Sequence, residues 1–358
     1  MTASIGDEAI HAGVSSRRYV PFLKGKQGER LAVRSLDPSV KGAITPAFQL
    51  IAGRSAETLE REMRQLADGW AGFGPVLIDA AWLDPAATRL HPLRLVGDLG
   101  TRFRIPVIPV ISPASDAGYR AAARAVIGTH HYGAAIRLPA ASWLPDLAKP
   151  VIDDLLSDGL RPAETDLLVD AEAIANDAAL NLYTALRDRS LSGLPYLMDW
   201  RRVILSGGSF PTDLTGIQAG SVVRLPRREW VLWSGVASPG REIGYGDYGV
   251  AHPQTADEIT TPRAIPVFPQ LRYTTTDTFA VTKGRDLRRY GDDELYEVCR
   301  RVRALADVDP ATFSPGDRWI AARTGGSGSV GNYSTWRRIG TSHHVTKIVA
   351  LLASRSAP

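Results

Sequence analysis

From Tyr19 onward, short apolar runs rich in β-favouring residues are each followed by a stretch of helical period. Tyr19–Leu23 is followed by Gln27–Leu36, and Ile44–Ile51 by an amphipathic stretch over Ala56–Trp70. Val76–Asp79 precedes Pro92–Phe103, and Pro106–Ile111 precedes Ser115–Ile127. Ala134–Arg137 leads to Leu144–Ser157, Asp166–Asp170 to Asp177–Arg189, and Val203–Ser206 to Arg227–Trp233. Glu242–Gly249 is the eighth strand candidate. The strand runs are nearly continuous in apolar residues rather than alternating, the pattern of parallel strands covered on both faces. Eight such units in about 250 residues predict a (β/α)8 barrel of the TIM type rather than an open doubly wound sheet. No Gly-x-Gly-x-x-Gly follows the first strand, which counts against a dinucleotide-binding sheet. Pro21 and Pro46 fall inside strand runs, where a missing N–H is tolerated best near a strand start.

Past Pro266 the alternation stops. Arg272–Val281 is β-rich, Asp292–Ala306 has apolar residues at helical spacing, Gly325–Ser329 reads as a loop, and Thr346–Leu352 as a short final helix. The expected organisation is a flexible segment over residues 1–18, a barrel over 19–265, and an α+β extension over 266–358. The extension is too irregular to promise a core of its own, so it is expected to pack on the barrel mouth.

The chain has 358 residues, 44% hydrophobic and 22% charged, an ordinary globular balance that argues against a disordered or fibrous chain. No apolar run is long enough to span a bilayer, and the acidic N-terminus lacks a signal-peptide core, so a cytoplasmic protein without membrane contact is expected. Cys299 is the single cysteine, which rules out an internal disulfide and a cysteine-based zinc cage, and its place on an apolar helix face suggests inert packing. Charge is uneven: from Arg318 to the C-terminus there are six basic residues and no acid, against a net +4 for the whole chain. Such a surplus suits an anionic partner, either a small molecule or nucleic acid.

In barrels the chemistry sits at the C-terminal ends of the strands. The polar residues there include Lys24, Lys26, Gln49, Asp79, Ser112, Arg137, Asp170, Glu172, Asp247 and Tyr248, with His252 close behind. Asp79, Asp170 and Asp247 can serve as acid and base, or hold a divalent cation such as Mg²⁺ for phosphoester hydrolysis. A strand-end Asp that merely caps the next helix is the structural alternative. Ser206-Gly207-Gly208-Ser209 follows the seventh strand, where barrels often build a phosphate site from backbone N–H groups. The adjacent His343 and His344 make a poor metal pair, since neighbouring side chains point apart; either could act as acid or base.

Several strings resemble the phage T4-type beta protein family of phages, prophages and bacteria. They are Tyr19–Glu29, Ile44–Phe48, Gly208–Pro211, Gly246–Gly249 with His252-Pro253, Arg272–Thr274 and Gly331–His344. Phe279 stands where the pattern expects a tryptophan. The resemblance implies one architecture, brings no assigned reaction, and adds weight to Lys24, Lys26, Asp247, Tyr248, His252, Arg272, Tyr273, Trp336, Arg337, His343 and His344. Its phage setting implies, by analogy, a part in phage–host conflict.

The resulting expectation is an enzyme-like barrel that binds or hydrolyses a phosphorylated ligand, a nucleotide or a nucleic-acid end. Lys24, Lys26, Arg137, Ser206–Ser209, Tyr248, Arg272, Tyr273, Trp336, Arg337 and His344 would bind it, and Asp79, Asp170, Asp247, His252 and His343 would do the chemistry. The alternative is a non-catalytic module that binds a protein partner in a phage-defence or prophage system. Trp336, Arg337, His343 and His344 are expected to roof the mouth near Asp247 and Tyr248.

Overall fold

A computed structural model describes residues 16–237, 240–254 and 266–356. Most of the segment expected to be flexible, residues 1–15, lies outside the described residues, as does the barrel–extension boundary at 265/266 on its N-terminal side.

Eight parallel strands close into a barrel. In chain order the first seven are β1 (Tyr19–Leu23), β2 (Ala47–Gln49), β3 (Val76–Asp79), β4 (Val107–Ile111), β5 (Ala134–Pro139), β6 (Thr165–Ala173) and β7 (Arg202–Gly208). The eighth barrel strand is β9 (Gly244–Asp247), which pairs with both β7 and β1. Side chains alternate between two environments. Val20, Phe22, Ala47, Leu77, Ile108, Ala135, Leu168 and Ile204 fill the barrel interior, while Tyr19, Leu23, Phe48, Ile78, Ile136, Val169, Leu205 and Tyr245 meet the helical layer.

Seven helices of that layer follow the expected order: α1 (Gln27–Ser35), α3 (Ala56–Trp70), α4 (Pro92–Phe103), α5 (Ala117–His130), α6 (Pro145–Leu156), α7 (Asp177–Ser190) and α8 (Arg228–Ser234), with a short extra turn α2 (Pro38–Gly42). Helix α3 shows why the local reading works. Ser55 caps its N-terminus through Thr58 N–H, and Leu59, Met63, Leu66 and Trp70 form one buried stripe.

The extension differs from expectation in three ways. Its last helix is α12 (Tyr333–Ser356), 24 residues long instead of the short helix expected over Thr346–Leu352, and it packs on α1, α2 and β1. It thereby takes the eighth place in the helical layer, with Val345 and Ile348 in the barrel's outer core. Second, β8 (Val222–Pro226), between the seventh strand and its helix where no element was expected, joins the hairpin β10 (Gln270–Thr274) and β11 (Thr278–Lys283) in a small antiparallel sheet. Barrel and extension are therefore interlocked by strand pairing. Third, the extension does hold a core: Leu271, Tyr273, Leu295, Val298, Cys299, Ile320, Trp336 and Ile339 cluster between that sheet, α10 (Asp293–Arg303), α11 (Pro315–Ala321) and α12. A short helix, α9 (Leu287–Tyr290), precedes them. Burial pushes the Cys299 thiol up to about 12. Among the described residues no helix is long and apolar enough to cross a membrane.

Candidate functional site

Strand alternation decides which polar residues share the C-terminal mouth. Lys24, Gln49, Asp79, Arg137, Asp170, Ser206 and Tyr248 continue the inward-facing rows of their strands and meet there. Arg137 is the hub. Its Nε donates to Asp170 Oδ2 at 2.7 Å, and Nη1 reaches Asp79 Oδ2 at 3.4 Å. Its Nη2 donates to Tyr248 OH at 2.6 Å and reaches Glu172 Oε1 at 3.4 Å. Tyr248 OH donates in turn to Asp170 Oδ2 at 2.5 Å, and Ser206 Oγ to Asp170 Oδ1 at 3.0 Å. Burial opposes the charge on Asp170, but Arg137 and the Tyr248 hydroxyl outweigh it and hold the carboxyl below its ordinary range. Burial likewise would lower the Arg137 guanidinium; Tyr248, Asp170 and Asp79 reverse the sign and keep it charged.

Glu172 reaches this cluster through a backbone irregularity. It has φ +54°, in the left-handed region, where the β6–β7 register shifts between Asp170 and Ala173. Its N–H donates to Asp170 Oδ1 at 3.0 Å, which helps hold the bulge. Bulges beside active sites commonly re-aim a side chain, and this one turns a half-exposed carboxylate toward Arg137.

Lys24 is the second centre, only 2% exposed. Its ammonium donates to Gln49 Oε1 at 2.8 Å and to the Pro253 carbonyl. It lies 4.4 Å from the Trp82 ring centroid and 5.3 Å from that of Tyr248. Among the described residues no carboxylate bonds it directly: Glu29 Oε2 accepts from the Lys24 backbone N–H at 2.7 Å instead. Burial lowers the amine from 10.5 to about 7, against the partial opposition of Glu29, Asp79 and Asp170. His252 stands close enough for Lys24, after burial, to lower its ring further.

Other expected site residues lie elsewhere. Asp247 precedes Tyr248 by one position and so faces outward, not into the mouth. There it accepts from Tyr19 OH at 2.9 Å and pairs with His344 Nε2 at 2.8 Å. His344 Nδ1 meets Thr274 Oγ1 at 2.8 Å, so this buried network ties α12 to β1, β9 and the small sheet. His343 is wholly buried, bound to Asp317 and to the Thr274 carbonyl at 2.8 Å each, and stacked on Tyr273 at 3.8 Å. Trp336 belongs to the extension's core and donates to the Val330 carbonyl. Arg272 and Arg337 both donate to the Val250 carbonyl, with Arg337 3.8 Å from Glu29. Of the expected roof only the approach to Asp247 forms, through His344; the string is a helix on the barrel flank, and its polar residues hold it there.

The Gly-Gly turn is also structural. Gly207 and Gly208 belong to strand β7, and a Cβ on Gly208 would stand 2.8 Å from Pro253 and 3.1 Å from Tyr248. Ser209 donates to the Pro226 carbonyl and to Glu229 and accepts from Arg228 N–H, anchoring α8 rather than a phosphate. Lys26 marks the N-cap position of α1. The C-terminal basic residues are dispersed: Arg318 pairs with Asp37, Lys347 with Asp309, and Arg323 and Arg355 lie over tryptophans. Among the described residues no group of three or more His, Cys, Asp or Glu is placed to hold a metal ion. Arg137 sits where a cation bridging Asp79 and Asp170 would have to sit, so the residues present do not fit Mg²⁺ at that point. Trp82 and Glu29 were not anticipated. Their sequence signal is proximity: Trp82 follows Asp79 in the loop after β3, and Glu29 follows Lys24 in the first turn of α1.

Fold and site together define a (β/α)8 barrel whose C-terminal mouth holds a buried lysine beside an arginine-centred carboxylate network. Within that class the chain belongs to the Beta protein family, whose model matches residues 19–350. No curated protein matches the chain. Among solved structures it is similar to one from Burkholderia cenocepacia J2315 described as a "putative lyase/mutase", at 10% identity and TM-score 0.31, covering 69% of this chain and 83% of that one. A likeness that loose carries nothing about chemistry.

Proposed function

We propose that the chain is an enzyme whose C-terminal mouth transfers a proton on a small polar ligand, with Lys24 as the base. The observation that supports this reading is the setting of Lys24: an amine inside the barrel, held by two neutral oxygens between the Trp82 and Tyr248 rings, with no bonded carboxylate among the described residues. An amine in such a place is neutral for part of the time near pH 7 and can accept a proton from a ligand O–H, N–H or activated C–H. The ammonium so formed is stabilised by Glu29, Asp79 and Asp170. Arg137, fixed on three sides, offers its remaining N–H as a donor to charge developing on the ligand.

A phosphorylated ligand, the class expected from the sequence, has Lys24 and Arg137 in its favour. Against it stand Asp79, Asp170 and Glu172 around the same guanidinium. The test is a thermal-shift panel of small polar compounds in phosphorylated and unphosphorylated forms, followed by turnover assays on any compound that binds. Lys24→Gln should lower kcat by about 10²–10⁴-fold with little change in KM, as for loss of a general base. Full turnover in Lys24→Gln would sink the proposal, and a panel in which nothing binds the mouth would favour the protein-interaction alternative.

A further inference from the structure

The hydrogen bonds of Lys24 have a feature that proton transfer does not require. Its two partners, Gln49 Oε1 at 2.8 Å and the Pro253 carbonyl, are both acceptors. The Gln49 amide is oriented from its other side, where Nε2 reaches Asp79 Oδ2 at 3.4 Å and leaves Oε1 for the lysine. A neutral amine has two N–H groups and one lone pair. Both N–H groups are taken here, and among the described residues nothing donates to Nζ, so the lone pair stays unengaged.

The surroundings suit a trigonal carbon on that nitrogen. The Trp82 and Tyr248 ring centroids lie 4.4 Å and 5.3 Å from Nζ, flat faces against which a delocalised cation can rest. Burial of Lys24 keeps water away, which favours loss of water from an adduct over its return. Trp82 is only half-buried and stands on the loop after β3, so that side of the enclosure faces the rim. Farther along the mouth, Asp79, Asp170 and Glu172 surround the single guanidinium of Arg137. Such carboxylates accept from ligand hydroxyls and repel a ligand carboxylate or phosphate.

We propose that Lys24 is a nucleophile that forms an imine with a small uncharged hydroxy-aldehyde or hydroxy-ketone. This rests on the reading of Lys24 as an amine that is neutral for part of the time near pH 7, and adds bond formation to it. Nζ bonds the carbonyl carbon as the C=O π pair moves to oxygen. That oxygen takes up the two amine protons in turn and leaves as water with its bonding pair, while the nitrogen lone pair closes the C=N bond. No oxidant or reductant is consumed. Asp79, joined to Lys24 through Gln49, is placed to carry the protons. The test is borohydride trapping on the full chain at pH 7 with dihydroxyacetone, and with pyruvate as a charged carbonyl, read by intact mass and peptide mapping. With dihydroxyacetone the chain should gain the mass of the ligand less one oxygen atom, located on Lys24. Label there should exceed that on an ordinary exposed lysine by about 10²-fold, because an amine lowered to about 7 is neutral far more often at that pH. Lys24→Gln, checked for folding by circular dichroism, should lose the label; the wild-type map decides the matter even where that variant does not fold. No Lys24 adduct with dihydroxyacetone, or one no greater than on exposed lysines, overturns the imine, and preferential labelling by pyruvate overturns the uncharged class. Loss of turnover in Lys24→Gln with no adduct in wild type would leave Lys24 acting on protons alone. An adduct in a chain that turns over no tested compound would support the imine and leave the proton transfer without support.

Discussion

At the scale of single residues, Lys24 is the most consequential side chain of the mouth, because its burial sets both its chemistry and its cost. A lysine whose folded-state value falls to about 7 binds its proton less tightly when folded than when unfolded. Below that value both states are protonated and the native state bears the full desolvation cost. As pH rises from about 7 toward 10.5 the unfolded chain holds the extra proton, so native stability increases with pH across that window. Lys24→Met removes the cost along with the base. It should raise Tm by about 2–6 °C at pH 6, and the gain should shrink by pH 9. Differential scanning calorimetry at the two pH values checks this; a variant that melts below wild type at pH 6 would show that the ammonium is well solvated by its neutral partners. Asp247 teaches a different lesson. One position of strand register separates it from Tyr248, and that places the carboxylate in the wall and the phenol in the mouth.

Among elements, α12 matters most, since it completes the helical layer from a segment far along the chain. Its approach is close because glycines lie under it. A Cβ on Gly28 of α1 would stand 2.6 Å from the Ser334 carbonyl and 2.9 Å from Arg337 Cβ, and one on Gly316 would stand 2.5 Å from the Ile339 carbonyl. Replacing a helical glycine with alanine in an open setting stabilises by about 0.5–1 kcal/mol. Gly28→Ala should do the reverse and cost about 1–3 kcal/mol, the penalty of overpacking a tight helix contact. Urea denaturation gives the sign directly, and a stabilised variant would mean that α12 is free to lift away from α1.

For the whole molecule, buried carboxylates held by cations link its separate parts. Asp166 at the barrel base, Asp170 in the mouth, Asp247 on the wall and Asp317 in the extension all lie below the ordinary carboxylate range. In each, burial acts the other way and is outweighed by arginine or histidine partners. A depressed folded-state value contributes stability that is present above the unfolded value and lost as pH falls through the folded one. The chain should therefore stay folded down to about pH 4, then unfold steeply with uptake of several protons. Circular dichroism against pH, paired with potentiometric titration, measures both. Acid unfolding without net proton uptake beyond the unfolded reference would contradict it.

Periodicity alone was enough to predict the eight-stranded barrel, because each βα unit buries its own apolar face and leaves a local signature. Val76–Asp79 and Pro92–Phe103 fall on the elements as read. Lys24, Asp79, Arg137, Asp170 and Tyr248 were legible for a related reason: they are the polar residues that end apolar runs, and barrels gather such ends on one rim. What could not be read locally depended on partners distant in sequence. Helix α12 has glycine, serine, threonine and two histidines where an amphipathic stripe would be, since it is packed on several sides and held by Asp247 and Asp317. Strand β8 is short and half-exposed, and becomes a strand only because β11 pairs with it. Arg17, Arg18, Arg201, Arg202 and Arg241 come from the segments entering β1, β7 and β9, so only closure of the barrel brings them to one concavity. The sequence by itself determined which segments are the eight strands and first seven helices of the barrel and which polar residues end the strands. Tertiary structure decided which way each of those residues faces, because direction depends on register and packing between segments that no local pattern records.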